Sequence, residues 1–377
     1  MKKTHLLTIL LSASLLSSCN QQPTEQPTEQ PTTVEPTTQE PTTVEPTTQE
    51  PTTEQPTTEQ PTSEDPFAIY EKLDSILAME TLEIGVNEKY NLKVMLEEQY
   101  QNTWLDFYVE DFGIAKPDAE DNINGVSEGV TNVKIVVDET YIDELEVIVK
   151  PQDEMNRNFK FDKSRLTNKT FAVFGDSISD VSVTAYPSNR PTFWCEKLAK
   201  DYNMTMHNFA KSGSTTGYCK GLCDRDSSFI SIVGNYVAAQ NTVKTAVAEC
   251  DYAFIYFGNN DATYSCNIGE YGEVDAQNYM TKESFKGSYT YLIDQIRSYN
   301  PNIRIVCLSL SYSSWGEPAY TRQHLSEVIE DMAEYKNAKY IYIYDLWNGS
   351  TMATHCPDGI HPQTSGYELI VDRIVNS

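Results

Sequence analysis

The apolar positions in the second half of the chain form short continuous runs that are separated by segments of helix length. The runs predict five strands, over residues 171–174, 204–209, 252–257, 303–310 and 340–346. The segments that follow them predict helices over residues 191–202, 229–249, 283–299, 320–335 and 364–375, and Pro191 suits a first helical turn. Apolar strands that alternate with helices are typical of βαβ units and a parallel sheet. We therefore predict an α/β domain over residues 159–377, flavodoxin-like and three-layered, with its site at the carboxyl edge of the sheet.

A different pattern covers residues 67–150, where short runs mostly alternate apolar with polar positions. The runs lie at residues 82–84, 90–94, 133–137 and 145–149. Alternation with turn residues between the runs predicts a small antiparallel β-sandwich. Residues 125–133, GVSEGVTNV, resemble the closing segment of bacterial immunoglobulin-like (Ig-like) domains. This region has no His, Cys or carboxylate cluster with catalytic spacing, so two roles stay open: a spacer or packing module, and a module that binds glycan or a surface.

The first 18 residues have the pattern of an export signal. Lys2 and Lys3 precede an apolar stretch over residues 6–16 that is too short to span a membrane. The stretch ends in LSSC at residues 16–19, which resembles a bacterial lipobox. That resemblance implies cleavage before Cys19 and acylation of its thiol; the alternative is a plain signal peptide with an incidental cysteine. An acylated Cys19 predicts a lipid-anchored lipoprotein on the extracytoplasmic face of the cell membrane.

Residues 19–66 have the composition of a linker. They repeat Pro and Thr with Glu, Gln or Val and contain no aromatic residue. Such a segment cannot bury a core, so we predict a disordered, extended spacer. At about 3.1 Å per residue it would reach roughly 140 Å if it were fully polyproline-like.

The charge of the chain restricts its partners. The 377 residues carry a formal net charge of −27. Nucleic-acid binding needs a basic surface, so no nucleic-acid partner is expected. No apolar run of the mature chain is long enough for a membrane helix, so the lipid anchor is the membrane contact that we predict.

Polar residues follow four of the predicted strands in the second half of the chain. They are Gly175-Asp176-Ser177, the segment NFAKSG at 208–213, the segment GNND at 258–261 and the segment DGIHP at 358–362. Loops at the carboxyl ends of parallel strands converge on one edge of the sheet. A serine, a backbone donor at a glycine, a carboxamide and an Asp/His pair are therefore expected to meet at one place.

These are the groups that acyl transfer requires. A serine hydroxyl is a poor nucleophile until a base removes its proton, so we predict Ser177 as the nucleophile and His361 as the base. Asp358 would orient the imidazole ring and stabilise the imidazolium. For the oxyanion we predict three donors: the backbone N–H groups of Ser177 and Gly213 and the side-chain amide of Asn260. No metal or other cofactor is expected.

The four segments resemble, in order, the four motif blocks of the SGNH or GDSL-type hydrolases. Gly175-Asp176-Ser177-Ile178 stands where that family has Gly-Asp-Ser-Leu, with a conservative change at Ile178. Gly213 matches the oxyanion glycine, Asn260 the asparagine of the third block, and Asp358 with His361 the closing dyad. The resemblance implies a serine esterase that cleaves esters of lipids, acylated sugars or other small acyl compounds.

The predicted function is a surface-anchored serine esterase, with an O-acetylated carbohydrate as the favoured substrate. Three alternatives stay open: a lipase or lysophospholipase, an O-acyltransferase, and an inactive surface binding protein. The predicted partners are accordingly an acylated small molecule or glycan and the membrane. Because the proposed catalytic residues all follow Gly175, a chain that begins near Phe159 is expected to hydrolyse small soluble esters as fast as the mature chain.

Seven cysteines follow Cys19. Three of them, Cys195, Cys250 and Cys307, lie in or beside predicted regular elements and are expected to be buried apolar residues. The other four lie in predicted loops at the active edge: Cys219, Cys223, Cys266 and Cys356. Export permits disulfides, and two bridges among four cysteines allow three pairings that the sequence leaves open. A zinc site is the alternative.

Overall fold

The structure is a computed structural model that describes residues 65–72, 76–77, 79–182, 190–224, 240–314 and 321–377. The residues from Ser63 to Ser377 form one compact unit. The predicted signal, Cys19 and all but the last two residues of the predicted linker lie outside the described residues. Within the described ranges, no helix has both the length and the apolar character needed to cross a membrane.

Residues 71–150 form eight strands, which we call the β module. The strands are β1 Glu71–Lys72, β2 Thr81–Gly85, β3 Lys89–Asn91, β4 Leu105–Val109, β5 Ala115–Pro117, β6 Asn122–Gly125, β7 Gly129–Val137 and β8 Tyr141–Lys150. One sheet has the order β8-β7-β4, with β1 and β2 both paired to β8, and the other has the order β3-β6-β5. Side chains from both sheets share one core that includes Ile84, Tyr90, Ile123, Ile135 and Val147.

The β module departs from the predicted antiparallel sandwich at one edge. Strand β7 is antiparallel to β4 and to β8, as predicted, but β2 runs parallel to β8. The chain builds β3 to β7 between these two strands, and this long crossover lets β8 return parallel to β2. The predicted strand 90–94 is also too long, because β3 ends at Asn91 and a 3-10 turn follows over Lys93–Met95. The Ig-like resemblance stays a prediction.

The second half of the chain forms the predicted parallel sheet. Its strands are β9 Thr170–Gly175, β10 Thr205–Asn208, β11 Tyr252–Tyr256, β12 Arg304–Leu308 and β13 Lys339–Ile341. All neighbours are parallel, and the order is β10-β9-β11-β12-β13. This is the flavodoxin-like order 2-1-3-4-5. Every residue of β11 and of β12 is buried, so both faces of the sheet are covered, as the continuous apolar runs predicted.

Helices follow the strands and supply the two outer layers. The described helices are Gln152–Asn158, Lys163–Leu166, Trp194–Asp201, Lys220–Cys223, Gln240–Ala248, Asn259–Thr263, Phe285–Tyr299, Arg322–Tyr335, Met352–His355 and Thr364–Val375. The last has the predicted bounds. The helix predicted from Pro191 begins at Trp194, because Phe193 has an extended backbone and its N–H donates to the Glu196 side chain, 3.1 Å away. The predicted helix 229–249 is described only over Gln240–Ala248.

Direct hydrogen bonds join the β module to the α/β domain. Tyr90 Oη donates to Asp162 Oδ2 over 2.9 Å, and the N–H of Asn91 donates to Ser164 Oγ over 2.8 Å. Both donors lie on β3, and both acceptors lie at or in the helix Lys163–Leu166 that precedes β9. The β module therefore contacts the α/β domain close to the amino-terminal end of its first strand, away from the carboxyl edge where the polar loops lie.

Candidate active site

The first polar loop begins where β9 ends. A side chain at Gly175 would place its Cβ 3.0 Å from both the Ser179 side chain and the Tyr256 carbonyl oxygen, which is tighter than ordinary van der Waals contact and favours glycine at this close approach. Asp176 is buried and its Oδ1 accepts the N–H of Ile178 over 3.0 Å, which closes the turn. Ser177 follows at the tip of the strand, half-buried, on a turn that is held by the sheet and by Asp176.

The structure brings Ser177, His361 and Asp358 together. Ser177 Oγ lies 3.0 Å from His361 Nε2, and His361 Nδ1 lies 2.8 Å from Asp358 Oδ2. A carboxylate only accepts hydrogen bonds, so Nδ1 carries the proton and donates to Asp358. In the neutral ring, Nε2 is then the acceptor that faces the Ser177 hydroxyl.

Asp358 also shapes the turn that presents the histidine. Its Oδ1 accepts the N–H groups of Ile360, over 3.0 Å, and of His361, over 2.7 Å. Partial burial acts to raise the pKa of Asp358, but these hydrogen bonds and the one from the His361 ring outweigh it, so the pKa lies below its ordinary value. Asp358 is therefore a carboxylate near neutral pH, and it can orient and stabilise an imidazolium.

The segment that contains Gly213 lies against the nucleophile turn. Asp180, which is buried, accepts both the N–H and the hydroxyl of Ser212 through Oδ2, each over 2.8 Å. Gly213 itself has a φ of 77°, which favours glycine, and nothing lies within 4 Å of the position of a Cβ. In the described part of the chain, the N–H groups of Ser177 and Gly213 have no acceptor. Asp180 has no signal in the sequence beyond its nearness to Ser177.

Asn260 belongs to the same loop cluster. It lies in the first turn of the short helix Asn259–Thr263, and its Nδ2 donates to the Ser214 carbonyl oxygen over 2.8 Å. This bond uses one of the two amide hydrogens and fixes the side chain beside Gly213. The second hydrogen remains to donate to a ligand.

A disulfide ties the same two segments together. Cys219 and Cys266 are bonded, and they lie after Gly213 and after Asn260 respectively. Of the four cysteines predicted in loops, Cys223 and Cys356 are free thiols, so the expected second bridge is not formed. The Sγ atoms of Cys219 and Cys266 and a Glu283 oxygen lie within 4.8 Å of one another. Because the two sulfurs are bonded to each other, they offer no thiolates for the zinc alternative.

The three cysteines predicted to be buried and apolar are confirmed. Cys195, Cys250 and Cys307 are all buried free thiols. Burial raises the pKa of each of them to about 12, so they carry no thiolate near neutral pH.

Buried charged groups lie beneath the site. Burial raises the pKa of Asp176 to about 6, and that of Asp261 to about 7, against the hydrogen bonds that each accepts from a backbone N–H. Arg322 enters from the start of the helix Arg322–Tyr335, and its Nη2 donates to Thr263 Oγ1 over 2.9 Å. The aspartates lie within the recognised motifs, but Arg322 has no motif or periodic signal, and sequence analysis missed it.

Comparison with known proteins identifies a family for the second half of the chain. Residues 173–369, just over half of the chain, match the model of the GDSL-like Lipase/Acylhydrolase family. No curated protein matches the chain.

Several solved structures resemble the chain at low identity. A GDSL-like lipase from Bacteroides ovatus is 20% identical, covering 55% of this chain and 96% of its own, with a TM-score of 0.38. A lipase/acylhydrolase from Enterococcus faecalis is 18% identical, covering 55% and 93%, with a TM-score of 0.34. A catalytic mutant of an acetylxylan esterase from Geobacillus stearothermophilus is 16% identical, covering 55% and 92%, with a TM-score of 0.36.

Proposed function

Because the chain belongs to the GDSL-like lipase/acylhydrolase family, we propose that it is a serine hydrolase of carboxylic esters. The observation that carries the proposal is the pair of hydrogen bonds that links Ser177 Oγ to His361 Nε2 over 3.0 Å and His361 Nδ1 to Asp358 Oδ2 over 2.8 Å. The geometry supports one nucleophile, one base and one orienting carboxylate, in the roles that ester cleavage needs.

The reaction begins when His361 Nε2 takes the hydroxyl proton of Ser177 while Oγ forms a bond to the ester carbonyl carbon. The carbonyl π electrons move to the oxygen and give a tetrahedral oxyanion. Collapse of this intermediate breaks the bond to the alcohol oxygen, which leaves with the proton from Nε2, and the acyl group stays on Ser177. A water molecule then gives its proton to Nε2 and attacks the acyl carbon, and the acid is released as Oγ recovers its proton.

The oxyanion needs donors that are aimed before the reaction begins. We assign this role to the N–H groups of Ser177 and Gly213 and to the amide of Asn260. Two features support the assignment: the two N–H groups have no acceptor among the described residues, and Asn260 uses only one amide hydrogen, on Ser214. The open space over Gly213 leaves room for the acyl group of a substrate.

The favoured substrate is an O-acetylated carbohydrate. A β module that is built onto the catalytic domain, and a predicted stalk that would hold both away from a membrane, suit a polymer outside the cell better than a lipid. A panel of chromogenic esters from acetyl to long-chain acyl, run beside acetylated polysaccharides, tests this choice. Highest kcat/KM on acetyl esters, with acetate released from the polysaccharide, supports it. Highest kcat/KM on long-chain esters favours a lipase, and acyl transfer to an added sugar favours an acyltransferase.

We further propose that Cys19 is acylated and anchors the protein at the extracytoplasmic face of the cell membrane. The support is the LSSC junction at residues 16–19 after a short apolar stretch. Cys19→Ala is expected to move the protein from the membrane fraction to the soluble fraction without changing its kcat on a small ester. Unchanged partition of the variant would contradict the proposal.

A further inference from the structure

The β module has a groove of about 640 Å³ that no step of ester hydrolysis uses. Strand β4 lies at one edge of the first sheet and β5 at one edge of the second, and both contribute to the groove. The residues that line the groove are Lys93, Trp104, Leu105, Asp106, Phe107, Pro117, Asp118, Ala119 and Asp121. The groove therefore lies where the two sheets of the module open to solvent.

Trp104 is the most unusual residue in this lining. Its side chain is 71% exposed, although tryptophan is highly buried on average. The indole Nε1 donates to Asp106 Oδ1 over 3.2 Å, and this bond orients the exposed ring. Trp104 is not among the residues of the module's core, so packing does not account for it. An exposed and oriented indole offers a flat apolar face to a ligand.

The rest of the lining combines apolar residues with acidic ones. Asp106, Asp118 and Asp121 contribute carboxylates, and two lysines pair with them: Lys93 Nζ lies 3.1 Å from Asp121 Oδ2, and Lys89 Nζ lies 3.5 Å from Asp118 Oδ2. Side-chain amides of Asn122 and Asn124 donate to Asp118 over 2.9 to 3.2 Å and fix its carboxylate. Three carboxylates against two paired lysines leave a net negative charge, which disfavours an anionic polymer, and the carboxylates offer acceptors to a neutral ligand that is rich in hydroxyl groups.

We propose that this groove binds a neutral polysaccharide chain. Trp104 would stack on the C–H face of one sugar ring, while carboxylate oxygens of the groove accept hydrogen bonds from the sugar hydroxyls. The choice of a glycan rests on the proposed function, since an esterase of acylated polymers gains from a second contact with its substrate. A module joined to the catalytic domain raises the effective concentration of the polymer without touching the chemistry.

The test is affinity gel electrophoresis of the full mature chain in gels that contain xylan, galactomannan or polygalacturonate. We expect the wild-type protein to be retarded by at least one of the two neutral polymers and not by the anionic one. Trp104→Ala should weaken that binding about tenfold, and Trp104→Phe should keep part of it. Phe112→Ala is the matched control, because Phe112 is 54% exposed on the same module but does not line the groove. It should migrate like the wild type.

The same proteins are assayed on a small acetyl ester, because Trp104 lies outside the catalytic machinery and its variants should keep full activity there. If the wild-type protein hydrolyses no small acetyl ester, the proposed function is overturned, while the gel result still tests the groove. The groove proposal is overturned if neither neutral polymer retards the wild type, if polygalacturonate retards it instead, or if Trp104→Ala binds as tightly as Phe112→Ala.

Discussion

Glu88 and Arg304 are 216 residues apart in the chain and form a buried ion pair between the β module and the α/β domain. Arg304 Nη1 lies 2.9 Å from Glu88 Oε1, Nη2 reaches Oε2, and the two side chains are only 9% and 7% exposed. The same Oε1 accepts from Arg165 Nε over 2.9 Å. One carboxylate of the β module therefore pairs with two buried cations of the α/β domain, and Asp162 supplies the second negative charge, with its Oδ2 3.4 Å from Arg165 Nη1.

The first prediction concerns this carboxylate. Glu88→Gln leaves the buried Arg304 without a counter-charge and leaves Arg165 with Asp162 alone, 3.4 Å away. Breaking a buried pair in this way costs about 3–5 kcal/mol of unfolding free energy. Urea denaturation measures the loss. Glu83→Gln is the matched control, because its pair with Lys150 over 3.0 Å is exposed and should contribute no more than about 1 kcal/mol. Equal losses in the two variants would contradict the buried-pair assignment.

The pH dependence of this loss gives a second measurement. Burial acts to raise the pKa of Glu88, but the charges of Arg304 and Arg165 outweigh it and lower the pKa from 4.5 to about 2. A carboxyl group with a lowered pKa stabilises the fold above pH 4.5 and loses this contribution as the pH falls towards 2. The difference between wild type and Glu88→Gln should therefore be constant near neutral pH and shrink below pH 4.5.

The second prediction concerns a chain that begins near Phe159, and it differs from the sequence-based expectation that such a chain is as active as the mature chain. Such a chain lacks Glu88, so Arg165 keeps only Asp162 as a partner, and Arg304 is buried without a counter-charge or exposed by local unfolding. It should have a lower melting temperature and a lower yield of activity on a small soluble ester. Arg304→Met in the truncated chain removes one orphaned charge and should recover part of the melting temperature. Full activity and stability of the truncated chain would show that the module is a passive spacer.

The bounds of a strand are predicted from the sequence more accurately when the strand is fully buried. The predicted runs 171–174 and 252–257 match β9 and β11 to within one residue at each end, because both strands are apolar and enclosed on both faces. The edge strands are less well predicted. The strand predicted over residues 340–346 is observed only over Lys339–Ile341, and β10 has four residues where six were predicted. Both are edge strands, which are covered on fewer sides, so their apolar pattern is weaker.

The candidate site is predictable for the residues that lie within a motif: Ser177 follows a strand as expected, whereas the motif alone identifies His361, which follows the short helix Met352–His355 and not the last strand. Contacts across long sequence separations carry no periodic signal. The Glu88–Arg304 pair, the Arg322 side chain beneath the site and the choice of Cys266 as the partner of Cys219 all depend on how the loops and modules pack. They become visible only in three dimensions.

The third prediction concerns the proposed catalytic pair. Ser177→Ala and His361→Ala should each lower kcat on a small acetyl ester by several orders of magnitude, and the double variant should be little worse than either, because the two residues act as a unit. His355→Ala is the control, since His355 lies near the dyad but bonds to Ser365 Oγ over 3.2 Å. Circular dichroism checks that the variants fold. Near wild-type turnover of Ser177→Ala would exclude the proposed mechanism.

The fourth prediction concerns Asn260. Asn260→Ala removes an oxyanion donor and should lower kcat by about 10²–10³ with a smaller change in KM. Asn260→Asp keeps the shape of the side chain but, as a carboxylate, has no N–H to donate, so its kcat should fall by a similar factor. The exposed Asn267, seven residues further along the chain, gives the control variant Asn267→Ala, which should keep wild-type turnover. A variant affected only in KM would mean that Asn260 binds substrate and not the transition state.

The last prediction concerns the disulfide between Cys219 and Cys266. It joins the segment that carries Gly213 to the segment that carries Asn260, so it should hold two of the proposed oxyanion donors in register. Small displacements of positioned groups cost large factors in rate. The double variant Cys219→Ser/Cys266→Ser is therefore expected to lose about tenfold in kcat, with KM nearly unchanged, at a temperature far below its melting point.

The control for that variant is Cys223→Ser. Cys223 is a free thiol at the end of the short helix Lys220–Cys223, which directly follows Cys219. It should keep wild-type kcat. Removing a native disulfide also costs stability, typically about 2–4 kcal/mol, so the melting temperature of the double variant should fall as well. The two effects are separable because kcat is measured on folded protein. A lower melting temperature with unchanged kcat would mean that the disulfide stabilises the loops without positioning the donors.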